Sequence, residues 1–427
     1  MERRDPREQI TIKALTVWLA AVAVYVVAIT GRTSFGVAGI DAIERFEVDA
    51  SRVAVFTAVQ IGVYALVQIP VGLLIDKFGP RLIMVVGALV MGLGQVLLGF
   101  TDSYPVAILA RVLIGAGDAT AFVSALRLLP SWFPMRSTPL FTQLTSAIGQ
   151  LGQFISAVPF LALLHAEGWT VAFVSLGAVA ALIAILALVA IADTPDPVEE
   201  AREDSRGPSI REILSIVLRS PLCWEAFAIH GLGMMFMITF TLLWGMPIMV
   251  QGMGLSPTQA GTVLTVYTFA TALGGPFLAP ISARAGKNRD LAAAAISAVH
   301  FITWAVFFAS TQPRGMAAAL IVAVIMGVCT PISNFGFDNV RERMPRSVVA
   351  SGTGLGNMGG FAAGMIATQV IGLLLDATAP DGNYTWGNFR IAWAAVLGMW
   401  VLLLAGMFYA RHLVGRGGAS EGARPAR

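Results

Sequence analysis

Charge is scarce in this chain. Only 12% of its 427 residues are Asp, Glu, Lys or Arg, against roughly 25% in a soluble globular chain, which excludes an ordinary water-soluble domain. Lysine is nearly missing, with three residues against 25 arginines. Cysteine is limited to Cys223 and Cys329, both in or beside apolar stretches. Two such residues exclude a disulfide framework and leave both thiols as packing groups. The four histidines form no cluster with metal-ligand spacing, and no catalytic triad or phosphate-cradling loop is present. The sequence therefore predicts no enzyme activity, no cofactor, no metal and no nucleic-acid partner. The polar segments are too short for a nucleotide-hydrolysing domain, which argues against ATP-driven transport.

What is abundant is apolar surface: 56% of residues are hydrophobic and the mean hydropathy is +0.76. Twelve apolar stretches lie at 14–38, 53–75, 82–101, 105–128, 138–164, 170–192, 223–249, 258–281, 291–310, 316–337, 350–375 and 390–411. Each is near the ~20 residues a helix needs to cross the hydrocarbon of a bilayer. The first is too long for a signal-peptide core and reads as an uncleaved span. "DTPDPVEEAREDSRGPSIREIL" separates the two sets of six as a polar, proline-bearing linker, with "SIREILSIVLRS" as an amphipathic helix on the membrane surface. The expected organisation is 1–192, a linker at 193–221, and 222–427.

Lys and Arg orient this arrangement. With the N-terminus cytoplasmic, 22 of the 28 fall on inner segments and four on outer ones. Arg32 and Arg111 are left for the membrane. The bias places both termini and the linker inside. The halves also repeat: "GLLIDKFGPR" (72–81) aligns with "APISARAGKN" (279–288), and "GQLGQF" (149–154) with "GNMGGF" (356–361), both at an offset of 207. A six-plus-six duplication marks secondary transporters, whose site lies near midplane. The fold class expected is an all-α membrane protein of twelve transmembrane helices in two six-helix pseudo-repeat bundles. The excess of arginine over lysine and the abundant alanine hint at a GC-rich bacterial genome, hence a bacterial inner membrane.

"GLLIDKFGPR" resembles the loop signature of the major facilitator superfamily through Gly72, Asp76, Lys77, Gly79 and Arg81. The resemblance implies that Asp76 latches the bundles on the cytoplasmic side. The second copy departs from it, with Ala283 in place of the acid. "GVYALVQIPVGLLIDKFGPR", "RVLIGAGDATAF" and "SWFPMR" resemble the anion:cation symporter branch. There, span 1 commonly reads Asp-Arg where this chain has Gly31-Arg32. Span 4 often ends its motif in Glu, where this chain has Asp118 after Arg111 and Gly115.

The two intramembrane arginines and the one deep acid carry the functional reading. A charge at the bilayer centre costs at least ~2.5 kcal/mol and is by default functional. Arg32 stays protonated and needs a counter-charge. Its planar fork matches a carboxylate, which in a transporter can be the cargo. A structural ion pair, or snorkelling to the outer interface, stands beside that reading. Asp118 lies ~18 Å into its span by helical rise, a depth at which a carboxylate can take a proton on one side and release it on the other. The alternative is a permanent salt bridge to Arg111, Arg32 or Arg127. Arg111, two turns earlier on a similar face, joins Asp118 as the expected proton-coupling pair. Tyr25, Gln60, Tyr64, Gln150 and Asn357 complete the candidate cargo site, with Gln60, Tyr64 and Gln68 in one stripe. "GTGLGNMGG", which contains Gly-x-Gly-x-x-Gly at 354–359, is a helix-packing run and not a dinucleotide loop.

The sequence thus predicts a monomeric, proton-coupled carrier of a small organic anion, with the bilayer and protons as its other partners. An exporter of the same fold, and a membrane sensor without turnover, are the alternatives.

Overall fold

The computed structural model describes residues 8–48, 50–195, 208–379 and 383–421. Residues 1–7, 196–207 and 422–427 hold part of the charge bias and the middle of the linker, and they lie outside the described residues. Among those described, every regular element is helical. Nine segments are long and apolar enough to cross a membrane, and the pair Val55–Leu66 and Gln68–Phe78 makes a tenth, bent by 46°. Two of the nine, Met135–Ala190 and Pro257–Ala309, run to 56 and 53 residues. Each is long enough for two crossings, and the chain reverses within them near Gly168 (φ 81°) and Gly286 (φ 51°). The segments are consistent with the twelve spans expected.

Two compact units emerge. One is Met1–Val217 with Met344–Gly354; the other is Leu218–Arg343 with Leu355–Arg427. In the first, α1 is Ile12–Val37, α2 Gly39–Phe46, α3 Ala50–Leu66, α4 Gln68–Phe78, α5 Pro80–Phe100, α6 Tyr104–Trp132, α7 Thr138–Gly149, α8 Leu151–Ile155 and α9 Leu161–Ala190. α1 starts where the Thr11 hydroxyl accepts from the Ala14 amide at 3.1 Å, satisfying one of the donors a helix leaves unpaired. α5 starts at Pro80, whose missing N–H costs nothing in the first turn. Large apolar side chains such as Leu93, Phe100, Leu182 and Val189 point outward, the pattern of a helix in lipid. On the inward faces, glycines such as Gly94, Gly117 and Gly152 let helix backbones approach closely.

α10 (Ile210–Arg219) lies mostly in the first unit; the second contains α11 (Pro221–Ile238), α12 (Pro257–Ala285), α13 (Arg289–Ala309), α14 (Met316–Cys329), α15 (Phe335–Arg343), most of α16 (Val349–Thr378) and α17 (Trp386–Glu421). α10 begins in the first unit and α16 starts there too, with its first residues. The core of the second unit is aromatic. Trp304 and Trp393 lie 4.4 Å apart between ring centroids, flanked by Phe236, Phe240 and Phe308. At one end its charges neutralise one another. Arg289 donates to both oxygens of Glu342 at 2.5 and 2.6 Å, Arg341 pairs with Asp338 at 2.7 Å, and Ser282 donates to Asp338 at 2.6 Å. This is the repeat position where Ala283 replaces the acid of the first half. There the loop is held through Ser282 and Arg289 instead.

Candidate functional site

Three helices of the first unit bring its intramembrane charges together. On α6, Arg111, Gly115 and Asp118 share a face, as their spacing of four and three requires. On α3, Phe56, Gln60 and Tyr64 recur every four residues and face that stripe. Contact is close: a Cβ on Gly115 would stand 2.6 Å from the Gln60 carbonyl oxygen, so only glycine fits. α1 supplies Arg32.

Arg32 turns inward rather than out along its helix. Its Nε donates to Asp118 Oδ2 at 2.6 Å and its Nη2 to Oδ1 at 2.9 Å. This is the bidentate geometry that makes arginine–carboxylate pairs strong and directional. The Tyr64 ring lies 4.5 Å from the guanidinium carbon, adding a cation–π contact. The partners are unequally accessible: the Arg32 side chain is 21% exposed and that of Asp118 is 0%.

Arg111 is placed differently. It is 1% exposed, its guanidinium lies 4.6 Å from the Phe35 ring centroid, and its Nε donates to the Phe56 carbonyl at 3.4 Å. Its Nη1 has no hydrogen-bond partner among the described residues. Gln60 is also 1% exposed, and neither atom of its amide is partnered. Tyr25 packs on Phe122 at 5.0 Å and against Gly149. Gln150 accepts from Gln153 at 2.6 Å. Asn357 is buried in the second unit. The stripe Gln60–Tyr64–Gln68 does not run on as expected: the chain bends at Val67, and Gln68 opens a new helix. Gly31 stands where the resembled branch has an acid. A Cβ there would lie 2.8 Å from Gln95 Nε2, which donates to the Gly31 carbonyl at 3.1 Å.

At the other end of α4, Asp76 accepts from Ala350 N at 3.0 Å, Ser351 N at 2.7 Å and Ser351 Oγ at 2.6 Å. These amides belong to the first turn of α16, where a carboxylate meets unpaired donors and the positive end of the helix dipole. Arg127 Nε lies 3.6 Å from Asp76. Gly72 lets the α16 backbone approach, since a Cβ there would be 2.6 Å from Ser351 Cα. Lys77 is exposed. Arg81 donates through its amide to Asp193 at 2.7 Å and through its guanidinium to the Leu188 carbonyl. Asp193 Oδ2 lies 2.1 Å from where a Gly79 Cβ would be, and Gly79 adopts φ 81°. The sequence offered Arg127 as an inner charge or a partner of Asp118, and Asp193 only as linker. Ser351, Arg127 and Asp193 have no local signal, because all three act across more than 50 residues.

Two groups of long apolar helices, with an ion pair buried in one, define a multi-span membrane protein. The chain matches the Major Facilitator Superfamily over residues 21–368 and belongs to it; it is a multi-pass transporter and not an enzyme. It is 35% identical over 116 residues to a probable sulfoacetate transporter, SauU, of Cupriavidus necator, a stretch covering 27% of each protein. It is 21% identical over 382 residues to a probable galactarate/D-glucarate transporter, GarP, of Escherichia coli, covering 81% of this chain and 84% of that one. Its fold resembles the transporter FucP in its outward conformation, with a TM-score of 0.72 at 14% identity over 93% of this chain and 99% of that one.

Proposed function

We propose that the chain takes up a small organic anion together with protons, by alternating access, with Arg32 holding the anion and Asp118 the proton. One observation carries this: the forked Arg32–Asp118 pair, open on its arginine side and closed on its acid side. An incoming carboxylate or sulfonate meets the guanidinium, whose fork it fits. The fork serves one bidentate partner at a time, so the cargo displaces Asp118. A fully buried carboxylate without its cation is a state costing several kcal/mol, and a proton removes that cost. Cargo and proton therefore enter together. Relatives named for sulfoacetate, L-galactonate and galactarate or D-glucarate, all organic anions, support this cargo class.

In this reading Asp76, with Gly72, Gly79, Lys77 and Arg81, sets the rate of cycling, and Tyr25 and Tyr64 wall the arginine. The protein works as a monomer in a bacterial inner membrane, with both termini cytoplasmic. Uptake of labelled L-galactonate, D-glucarate and sulfoacetate into proteoliposomes, with and without an inward pH gradient, tests it. Accumulation of at least one anion that collapses with the gradient is expected. Gradient-independent uptake of all three, or of none, would overturn the reading.

A further inference from the structure

We infer that one proton accompanies each cargo molecule, so that movement of a monoanion is electroneutral, and that Gln60 enforces this by keeping Asp118 away from the second guanidinium, Arg111. This rests on the reading of the site given above.

The charges around Asp118 fix the count. α1 faces it with Arg32 and Tyr25, and α3 with Tyr64. α5 brings Gln95, and between Leu82 and Phe100 it has no charged residue. α4 has its charges, Asp76 and Lys77, at its far end, and α7 has none. Among the described residues of the first unit, Asp118 is the one acid buried in mid-span. The residue beside Arg32 is Gly31, which supplies no second acid there. In the second unit, Glu225, Asp290, Asp338 and Glu342 are held by Asn339, Arg411, Arg341 and Arg289 at helix ends. His230 and His300 each have one ring nitrogen on a backbone carbonyl.

The empty pair, Arg32⁺ with Asp118⁻, is neutral. With a monoanion on Arg32 and a proton on Asp118 the site is neutral again, and Arg111 contributes the same charge to both. No net charge then crosses with a monoanion, and one negative charge crosses with a dianion.

One escape from this count exists. If Asp118 could swing to Arg111 when cargo takes Arg32, no proton would be needed and the anion would cross alone. Arg111 has an unpartnered Nη1 and stands two turns, about 10 Å, along the same face. Between them lies Gly115, and against it packs Gln60, whose Cγ is 3.2 Å from the position of a Cβ at 115. Gln60 thus occupies the path along which the two side chains would meet.

The test uses the full chain in proteoliposomes with L-galactonate, a monoanion, and a membrane potential clamped by valinomycin and potassium. Accumulation driven by a pH gradient should change less than twofold between 0 and −100 mV. One net charge per cycle would change it about 50-fold. Gln60→Gly should let galactonate flux exceed proton flux and become voltage-sensitive, and Gln60→Gly with Arg111→Leu should restore one-to-one coupling. Uptake that is pH-driven but voltage-sensitive in the unmodified protein would overturn this inference and leave the proposed function standing. Uptake indifferent to pH would overturn both. A Gln60→Gly protein still coupled one to one would remove Gln60 from the account.

Discussion

Asp76 caps a helix that begins 273 residues later: both its oxygens accept hydrogen bonds from Ala350 and Ser351, the first turn of α16. Asp76→Asn keeps the shape but loses the charge and one acceptor. A hydrogen bond to a charged group is worth about 1.5–3 kcal/mol, so turnover should change by tenfold or more. Cargo affinity should move less than about threefold, since the substitution is at the far end of α4. Equal turnover in the variant would reduce the motif to a turn.

Arg32→Lys retains the charge and loses the planar fork. We expect a cargo Kd at least tenfold weaker by isothermal titration in detergent, and Arg32→Ala should abolish binding. Normal binding by the lysine variant would show that a point charge suffices.

Asp118→Asn stands for the protonated acid. It should exchange cargo across the membrane while losing accumulation against a gradient. Combining it with Arg32→Ala separates cargo site from structural bridge. A structural bridge predicts poorly folded single variants and recovery in the double, because a stranded buried charge costs about 3–5 kcal/mol. A cargo site predicts folded single variants and an inactive double. Recovered transport in the double variant would assign Arg32 to its partner and not to a cargo.

Arg289 is 2% exposed and held by Glu342. Glu342→Ala strands that guanidinium and should lower stability by about 3 kcal/mol, read as a fall in Tm in detergent. Arg289→Met with Glu342→Leu should recover most of it. An unchanged Tm in Glu342→Ala would mean that water replaces the carboxylate.

The lysine and arginine bias predicts that reporter fusions at residues 205 and 420 report cytoplasm. A periplasmic signal at either position would break the twelve-span topology.

The spans, the duplication and the isolation of Arg32, Arg111 and Asp118 within apolar runs were legible in the chain alone. Hydropathy is a local quantity, summed over about 20 residues, and a charge in such a run is conspicuous wherever the helix later packs. The partner of Asp118 was not legible. Three arginines were open to it: Arg111, on a similar face of its own helix, Arg32 and Arg127. Folding gave it Arg32 from α1, left Arg111 on Phe35 and Phe56, and set Arg127 beside Asp76. The same holds for the bend at Val67, which broke a polar stripe that spacing alone made continuous. The amide partners of Asp76 and the tie from Asp193 to the loop also appear only in three dimensions. An ion pair needs its atoms within about 4 Å. Which charges come that close depends on where glycines let helices touch, a relation between residues distant in sequence.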